Sequence, residues 1–261
     1  MNIRLYRTAK VKSLIQAMVN SLGYEIRKLP SKGEEQPAVQ PPSVGEYTYY
    51  FPWGYQTYSP WWQAWFQKML SKVRGNTLVT EDRCYIIYSL CLNCIHLQGD
   101  LAECGVYKGG TAFLIAQAIK PSIGERQLHL FDTFTGMPNT AIEGIDNHKA
   151  GGFADTSLNN VKRYLSQFSF IVFQPGFIPD TFNRVKDKSF SFVHVDVDIY
   201  QSALDCCEFF YQRMVKGGVM VFDDYGFPEC KGERKAVDEF FIDKRERPVV
   251  LPTGQCLVIK L

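Results

Sequence analysis

The stretch His194–Tyr200 reads HVDVDIY, and 217–226 reads GGVMVFDDYG, so two of the most apolar runs in the chain end in clustered carboxylates. Asp196 and Asp198 alternate along the chain and face the same way if the strand stays regular. Asp223 and Asp224 are adjacent and share a site only if the chain turns there, as Tyr225-Gly226 suggests. Carboxylates crowded in this way share a proton or bind a cation. With four acids and no Lys or Arg close by in sequence, a cation is the expected solution, and oxygen-only ligation points to Mg2+ or Mn2+ rather than zinc. The alternative is that some of these acids cap helices, Asp224 above all.

A second group lies upstream. The segment ECGVYKGGT, 103–111, joins an apolar run to a helical stretch, with Gly105, Gly109 and Gly110 at the junction. Glycines there let the backbone come close to a ligand, and the helix start offers free amide donors. The spacing matches neither GxGxxG nor the P-loop, so a dinucleotide or triphosphate is not specifically indicated. Asp132 closes the next apolar run, LHLFD, where an acidic side chain can take both hydroxyls of a ribose or can cap a helix. Together these features point to an adenosine-bearing ligand with no pyrophosphate, S-adenosylmethionine.

The elements that must position these groups follow from the pattern after Asp100. Apolar runs LAECGV, LHLFDTF, FIVFQPG, FSFVHVDV and GGVMVFDD alternate with helical stretches, which specifies a parallel sheet covered by helices on both faces. The final PVVLPTGQCLVIKL flanks a Thr-Gly-Gln turn with two apolar runs and predicts a hairpin whose last strand is antiparallel. This is the α/β inventory of a seven-stranded, Rossmann-like class I methyltransferase sheet. Strands four and five should be neighbours through a right-handed crossover, which brings Asp196 and Asp223 into one small space.

Three segments are expected: residues 1–45, 46–78 and 79–261. In the first, Val11, Leu14, Ile15, Met18, Val19 and Leu22 have helical spacing amid basic residues. Such a helix can lie on an anionic membrane surface or pack on its own domain or a second subunit, and it suggests a homo-oligomer. Pro30 to Gly45 reads as a mobile polar linker. Between Tyr47 and Phe66, 11 of 20 residues are aromatic, including Trp53, Trp61, Trp62 and Trp65, which suits either a satellite core or a cover over a ring-shaped ligand. A helix is expected from about Pro60 to Val73, and another, capped by Thr80, to about Gln98.

A chain of 261 residues with 46% hydrophobic and 21% charged content is long enough for one α/β domain with an appendage. Its net charge of +2, without a basic-aromatic track, argues against a nucleic-acid partner. No apolar run is long enough to span a bilayer, and no secretory leader is recognisable. Eight cysteines, with one isolated CLNC and no second CxxC, read as reduced core thiols of a cytoplasmic protein.

The segments LAECGVYKGGTA, LFDTFTGMP, SLNNVKRYL, PGFIPDTF, HVDVDIYQSALD, GGVMVFDDYG and KGERKAVDEFF resemble, in order, the TylF-type macrocin O-methyltransferases. That family methylates sugar hydroxyls of natural products with S-adenosylmethionine and a divalent cation. The resemblance runs from about Val79 onward, and DVDIY followed by DDYG is its most specific part. It implies that Asp196, Asp223 and Asp224 bind Mg2+ and that Asp198 is the general base. On the cofactor side it implies Glu103, Gly105, Tyr107, Gly109, Gly110, Thr111, Asp132, Phe134, Ser157, Gly176, Phe177 and Asp196. The text AECGVYKGG departs mildly from the family's VEAGVWRGG-like form, and where members read PGWF this chain has Pro175-Gly176-Phe177-Ile178, which places Phe177 beside the adenine.

The mechanism expected on this basis has two adjacent acceptor oxygens chelated to the metal, while Asp198 removes the hydroxyl proton as the oxygen attacks the sulfonium methyl. A catechol or phenol methyltransferase needs the same chelation and is the nearest rival. A glycosyltransferase would leave ECGVYKGG and the second acidic pair without purpose. A cofactor-binding subunit without catalysis would keep the fold but has no use for Asp198 and a full ligand set.

Overall fold

The computed structural model describes residues 58–139 and 143–261, together with the backbone of a short antiparallel pair, Ser43–Val44 with Tyr47–Thr48. That pair falls in and just beyond the stretch read as linker. The basic helix with its implied self-association, most of the linker and Trp53 lie outside the described residues. The chain divides into two compact units, Met1–Tyr55 and Gln56–Leu261. The break falls inside the aromatic stretch, and residues 58–78 belong with the sheet.

The second unit opens with a 3-10 turn, Pro60–Trp62, and α1 (Ala64–Val73). Phe66, Leu70 and Val73 of α1 are buried, spaced three to four residues apart on one helix face, while Trp62 and Trp65 stay exposed. The described part of the aromatic stretch therefore contributes to the core along one face of α1. Then follow α2 (Glu81–Asn93), β1 (Asp100–Cys104), α3 (Gly110–Ile119), β2 (Leu128–Asp132), α4 (Leu158–Tyr164), β3 (Ile171–Pro175), β4 (Phe190–Val195), α5 (Tyr200–Tyr211), β5 (Met214–Phe222), α6 (Lys231–Phe241), β6 (Val249–Val250) and β7 (Cys256–Ile259).

Two expected helices differ. The helix that follows Thr80, whose side chain bonds Asp82 and caps no amide, ends at Asn93 rather than near Gln98, because the Cys94 amide already reaches back to both Leu90 and Cys91 carbonyls, which tightens the last turn. The Arg126 guanidinium then takes the carbonyls of Ile95 and Leu97, so the chain needs no further helix to satisfy them. Between β3 and β4 there is only a 3-10 turn, Asp180–Val185, which tucks Phe182 and Val185 into the core.

The sheet has seven strands in the order β3-β2-β1-β4-β5-β7-β6. β1 to β5 are mutually parallel, and β7 runs antiparallel to both β5 and β6, as the terminal hairpin predicts. Side chains alternate across it: Leu101, Leu128, Leu130, Val219 and Val221 enter one apolar cluster with α1, α2 and α3, while Ala102, Phe131, Met220 and Phe222 enter another with α5 and α6. All eight cysteines are buried free thiols. The strand order reverses between β1 and β4, so the tips of these two strands border the crevice in which ligands of open α/β sheets bind.

Candidate active site

At the strand tips lies a cavity of about 300 Å3, the lower end of the range for small-molecule sites. Three backbone bonds weld its floor: Gly105 N to Phe131 O (2.9 Å), Asp196 N to Cys104 O (2.8 Å) and Asp223 N to Val195 O (2.8 Å). They hold the ends of β2, β1, β4 and β5 side by side.

The loop after β1 is pinned from all sides. Asp132 accepts the amides of Val106 (2.7 Å) and Tyr107 (2.9 Å) on one oxygen and that of Phe134 (2.6 Å) on the other. These bonds use three of roughly four acceptor positions and leave about one for a ligand hydroxyl, where the sequence reading allowed two. Tyr107 sits in the left-handed region with φ 50°, its carbonyl bonded by the Thr156 hydroxyl and its phenol bonded to Asp155. Phe153 and Asp198 share that conformation and also line the cavity. Such backbone is costly for residues other than glycine and collects at functional sites.

Of the expected cofactor residues, Gly105, Tyr107, Thr111, Asp132, Gly176, Phe177 and Asp196 line the cavity, with Phe177 54% exposed. The others stand behind the wall. A side chain on Gly109 would press on Val161 and Leu165, and one on Gly110 would strike the Asn76 carbonyl, so these glycines serve helix packing. Ser157 caps α4 by accepting the Asn160 amide, while its neighbour Thr156 lines the wall. Phe134 is buried near Phe173, and Glu103 is buried beneath the floor against His194.

The acidic groups converge. Ligand atoms of Asp196, Asp198 and Asp224 lie within 4.8 Å of one another, as do those of His194, Asp196 and Asp223. Burial, and then the neighbouring carboxylates, push Asp196 well above the usual carboxylate range and Asp198 up to about 7. Behind them Glu233 accepts the Asp224 amide (3.0 Å), and its other oxygen is buried without a hydrogen-bond partner. All-oxygen donors, mutual repulsion and an orphaned carboxylate suit a hard divalent cation.

One residue changes the expected picture. Arg83, buried in the first turn of α2, donates to the Asp223 carboxylate and to Asp224 Oδ1 (2.9 Å) and stacks 4.7 Å over the Phe227 ring. Asp223 is fully buried and also receives Gln255 (2.7 Å), with His194 Nε2 at 3.4 Å. Asp223 thus has three of roughly four acceptor positions taken by protein donors, and the absence of basic residues near it in sequence does not hold in space. Burial alone would lower His194, but its bonds to Asp223 and Glu103 outweigh that and raise it to about 10. Arg83 falls on the buried stripe with Ile87 and Cys91 at intervals of four, and a charge on an apolar stripe was the available signal. Nothing in sequence marked His148, Phe227, Cys230 or the Asn76–Val79 segment as cavity walls.

Residues 77–250 match the macrocin-O-methyltransferase (TylF) family. The chain is 27% identical over 157 residues to demethyldecarbamoylnovobiocin O-methyltransferase of Streptomyces niveus, covering 56% of this chain and 59% of that one. It is 28% identical over 155 residues to mycinamicin III 3''-O-methyltransferase of Micromonospora griseorubida, covering 54% and 60%. The chain thus spans somewhat over half the length of these relatives. Among solved structures, the O-methyltransferase NovP aligns with a TM-score of 0.61 at 22% identity over 71% of this chain and 82% of its own. The calicheamicin methyltransferase CalS11 gives 0.59 at 16% over 76% and 93%. At these identities the likeness shows a shared fold and nothing more.

Proposed function

Because the chain belongs to the macrocin-O-methyltransferase (TylF) family, we propose that it transfers a methyl group from S-adenosylmethionine to a hydroxyl of a sugar or glycosylated natural product. The observation that carries this reading is the convergence of Asp196, Asp198 and Asp224 at a cavity whose other wall is the Gly105–Tyr107 loop. Supporting it, relatives are named as O-methyltransferases of demethyldecarbamoylnovobiocin and of mycinamicin III, and a solved O-methyltransferase from Bacillus cereus, with a TM-score of 0.50, is described as a complex with SAH.

The donor would lie along Gly105, Tyr107, Gly176 and Phe177, and it supplies an electrophilic methyl on sulfonium. Asp196 and Asp224 would hold Mg2+ or Mn2+, which lowers the pKa of an acceptor hydroxyl when bound. Asp223, with about one acceptor position left beside Arg83, Gln255 and His194, would be the weakest member of the ligand set. Asp198 is the proposed base: its carboxyl belongs to the same cluster, and its left-handed backbone is fixed between β4 and α5. Loop and acids hold the partners in one orientation, which supplies much of the rate enhancement. Phe153, Phe177 and Phe227 on the wall suit a phenolic ring as well, which keeps a catechol-type acceptor as the second reading.

The test is a mass-spectrometric screen of glycosylated and phenolic acceptors with S-adenosylmethionine and Mg2+. A gain of one methylene that EDTA abolishes and Mg2+ restores is the expected result. Asp198→Asn should retain donor binding and lose about 10²–10⁴-fold in turnover. Unchanged turnover removes Asp198 from the role of base, and failure of calorimetry to detect S-adenosylmethionine binding overturns the reading altogether.

A further inference from the structure

Beside the oxygen cluster stands a group of different chemistry. His148 Nε2, Asp198 Oδ1 and Cys230 Sγ come from three separate parts of the chain: the loop after β2, the tip of β4 and the 3-10 turn Pro228–Cys230 before α6. Their separations are 3.5 Å for nitrogen to oxygen, 3.5 Å for nitrogen to sulfur and 3.4 Å for oxygen to sulfur. A tetrahedral ion with ordinary zinc bond lengths demands about 3.4 Å between nitrogen and oxygen and about 3.6 Å from either to sulfur. The three atoms thus already span one face of a zinc tetrahedron to within about 0.2 Å.

The surroundings hold that face in place. Asn147, next to His148, donates to the carbonyls of Pro228 (3.3 Å) and Glu229 (3.2 Å), which ties the histidine loop to the cysteine turn. Asp146 accepts the Tyr200 amide (2.9 Å) at the start of α5 and lies so close to Gly232 that a Cβ there would be 1.8 Å from its oxygen. Each ligand therefore has a neighbour fastened to another ligand's element, the support that precise metal sites need. All three residues line the cavity, from which a fourth ligand can approach.

We propose that His148, Asp198 and Cys230 form a second metal site, selective for zinc-like ions with nitrogen, oxygen and sulfur preference, adjoining the all-oxygen cluster and sharing Asp198 with it, with its open position directed into the cavity. Burial, with Asp224 and Asp198 behind it, keeps the Cys230 thiol protonated in the free protein. On binding, the thiol proton leaves to solvent as the sulfur–metal bond forms, and the dication offsets the surrounding negative charge. Because Asp198 belongs to both sites, zinc occupancy withdraws the carboxylate assigned above as base and acts as an inhibitor; this consequence alone rests on the proposed function.

Cobalt(II) is the probe. Added to the metal-free wild-type chain, one equivalent should produce a thiolate-to-cobalt charge-transfer absorption with the visible bands of a tetrahedral site. Cys230→Ser should abolish the charge-transfer band, and His148→Ala should weaken cobalt binding by more than the roughly 10–100-fold that loss of an outer partner costs. Zinc should displace the cobalt from the wild type and bleach the band, and excess Mg2+ should leave it unchanged. Three weak hydrogen bonds have similar spacing but give no thiolate band, so a wild-type protein without it overturns the proposal, whatever the variants' folding. A band unchanged in Cys230→Ser overturns it too. The band is read without substrate: its presence in a chain that methylates nothing leaves this site standing and sinks only the methyltransferase reading, whereas methyl transfer without it does the reverse.

Discussion

A Cβ placed on Gly105 would stand 1.7 Å from the backbone carbonyl oxygen of Asp196. The donor-side loop and the acidic strand tip are therefore in backbone contact, and only a residue without a side chain permits it. Gly105 also has φ 84°, in the left-handed region. Gly105→Ala should cost at least about 2 kcal/mol from backbone strain and overpacking together. Urea unfolding measures that loss, and calorimetry should show S-adenosylmethionine binding failing with it; a variant of wild-type stability and affinity contradicts the close approach.

Arg83 neutralises a carboxylate that has no access to water. Arg83→Met should destabilise the protein by about 3 kcal/mol, the low end for stripping one partner from a buried ion pair, because Gln255 and His194 still hold Asp223. Addition of Mg2+ should raise the melting temperature of the variant more than that of the wild type, since the freed oxygens of Asp223 and Asp224 become available. Equal shifts in both proteins argue that Asp223 takes no part in cation binding.

Cation binding should be coupled to proton release. Asp198 is raised to about 7 and Asp196 well above the usual carboxylate range, so as pH falls these carboxyls take up protons that an arriving ion must displace. The affinity for Mg2+ should therefore fall as pH drops from 8 to 6, by up to about tenfold per unit for each proton displaced. Titration calorimetry in two buffers of different ionisation enthalpy reads the proton count directly, and a pH-independent affinity rules this coupling out.

Glu246 is buried, takes no part in the cavity lining, and accepts from the Tyr211 hydroxyl (2.7 Å), Lys260 (3.0 Å) and the Leu261 amide (3.2 Å). Burial alone would raise its pKa, but these donors outweigh it and lower it from 4.5 to about 2. A depressed carboxylate contributes stability that is present above its unfolded value and lost as pH falls through the folded one. The contribution, about 2 kcal/mol, should thus disappear between pH 4.5 and 2, and Glu246→Gln should flatten the stability profile over that window. A variant whose stability falls with acid as steeply as the wild type's would remove Glu246 from this role.

The strands show what local pattern conveys and where it stops. Each of the five parallel strands was legible as a short apolar run with turn signals, because burial on both faces leaves no place for polar side chains except at the tips. Glu103 and His194, bonded to each other across the β1–β4 pair, are exceptions inside the strands, as are His129 of β2 and Gln174 of β3, which also bond to each other. The end of α2 was not legible, since the group that takes the carbonyls beyond it, Arg126, comes from another part of the chain. The acids of DVDIY and DDYG were readable as one cluster from the crossover rule alone.

The sequence by itself determined the alternation of strands and helices, the order of the motifs and the convergence of acids at neighbouring strand tips, because these follow from periodicity and chain connectivity. Only the tertiary structure decided which acid is free to act. Asp223 is occupied by Arg83 and Gln255, Asp132 is committed largely to backbone amides, and Asp198 is shared with His148 and Cys230. Those partners lie up to about 140 residues away, and no local pattern encodes them. Their positions are set by how helices and loops pack over the sheet, and in a low-dielectric interior a hydrogen bond or charge a few ångströms away governs what a carboxylate can do.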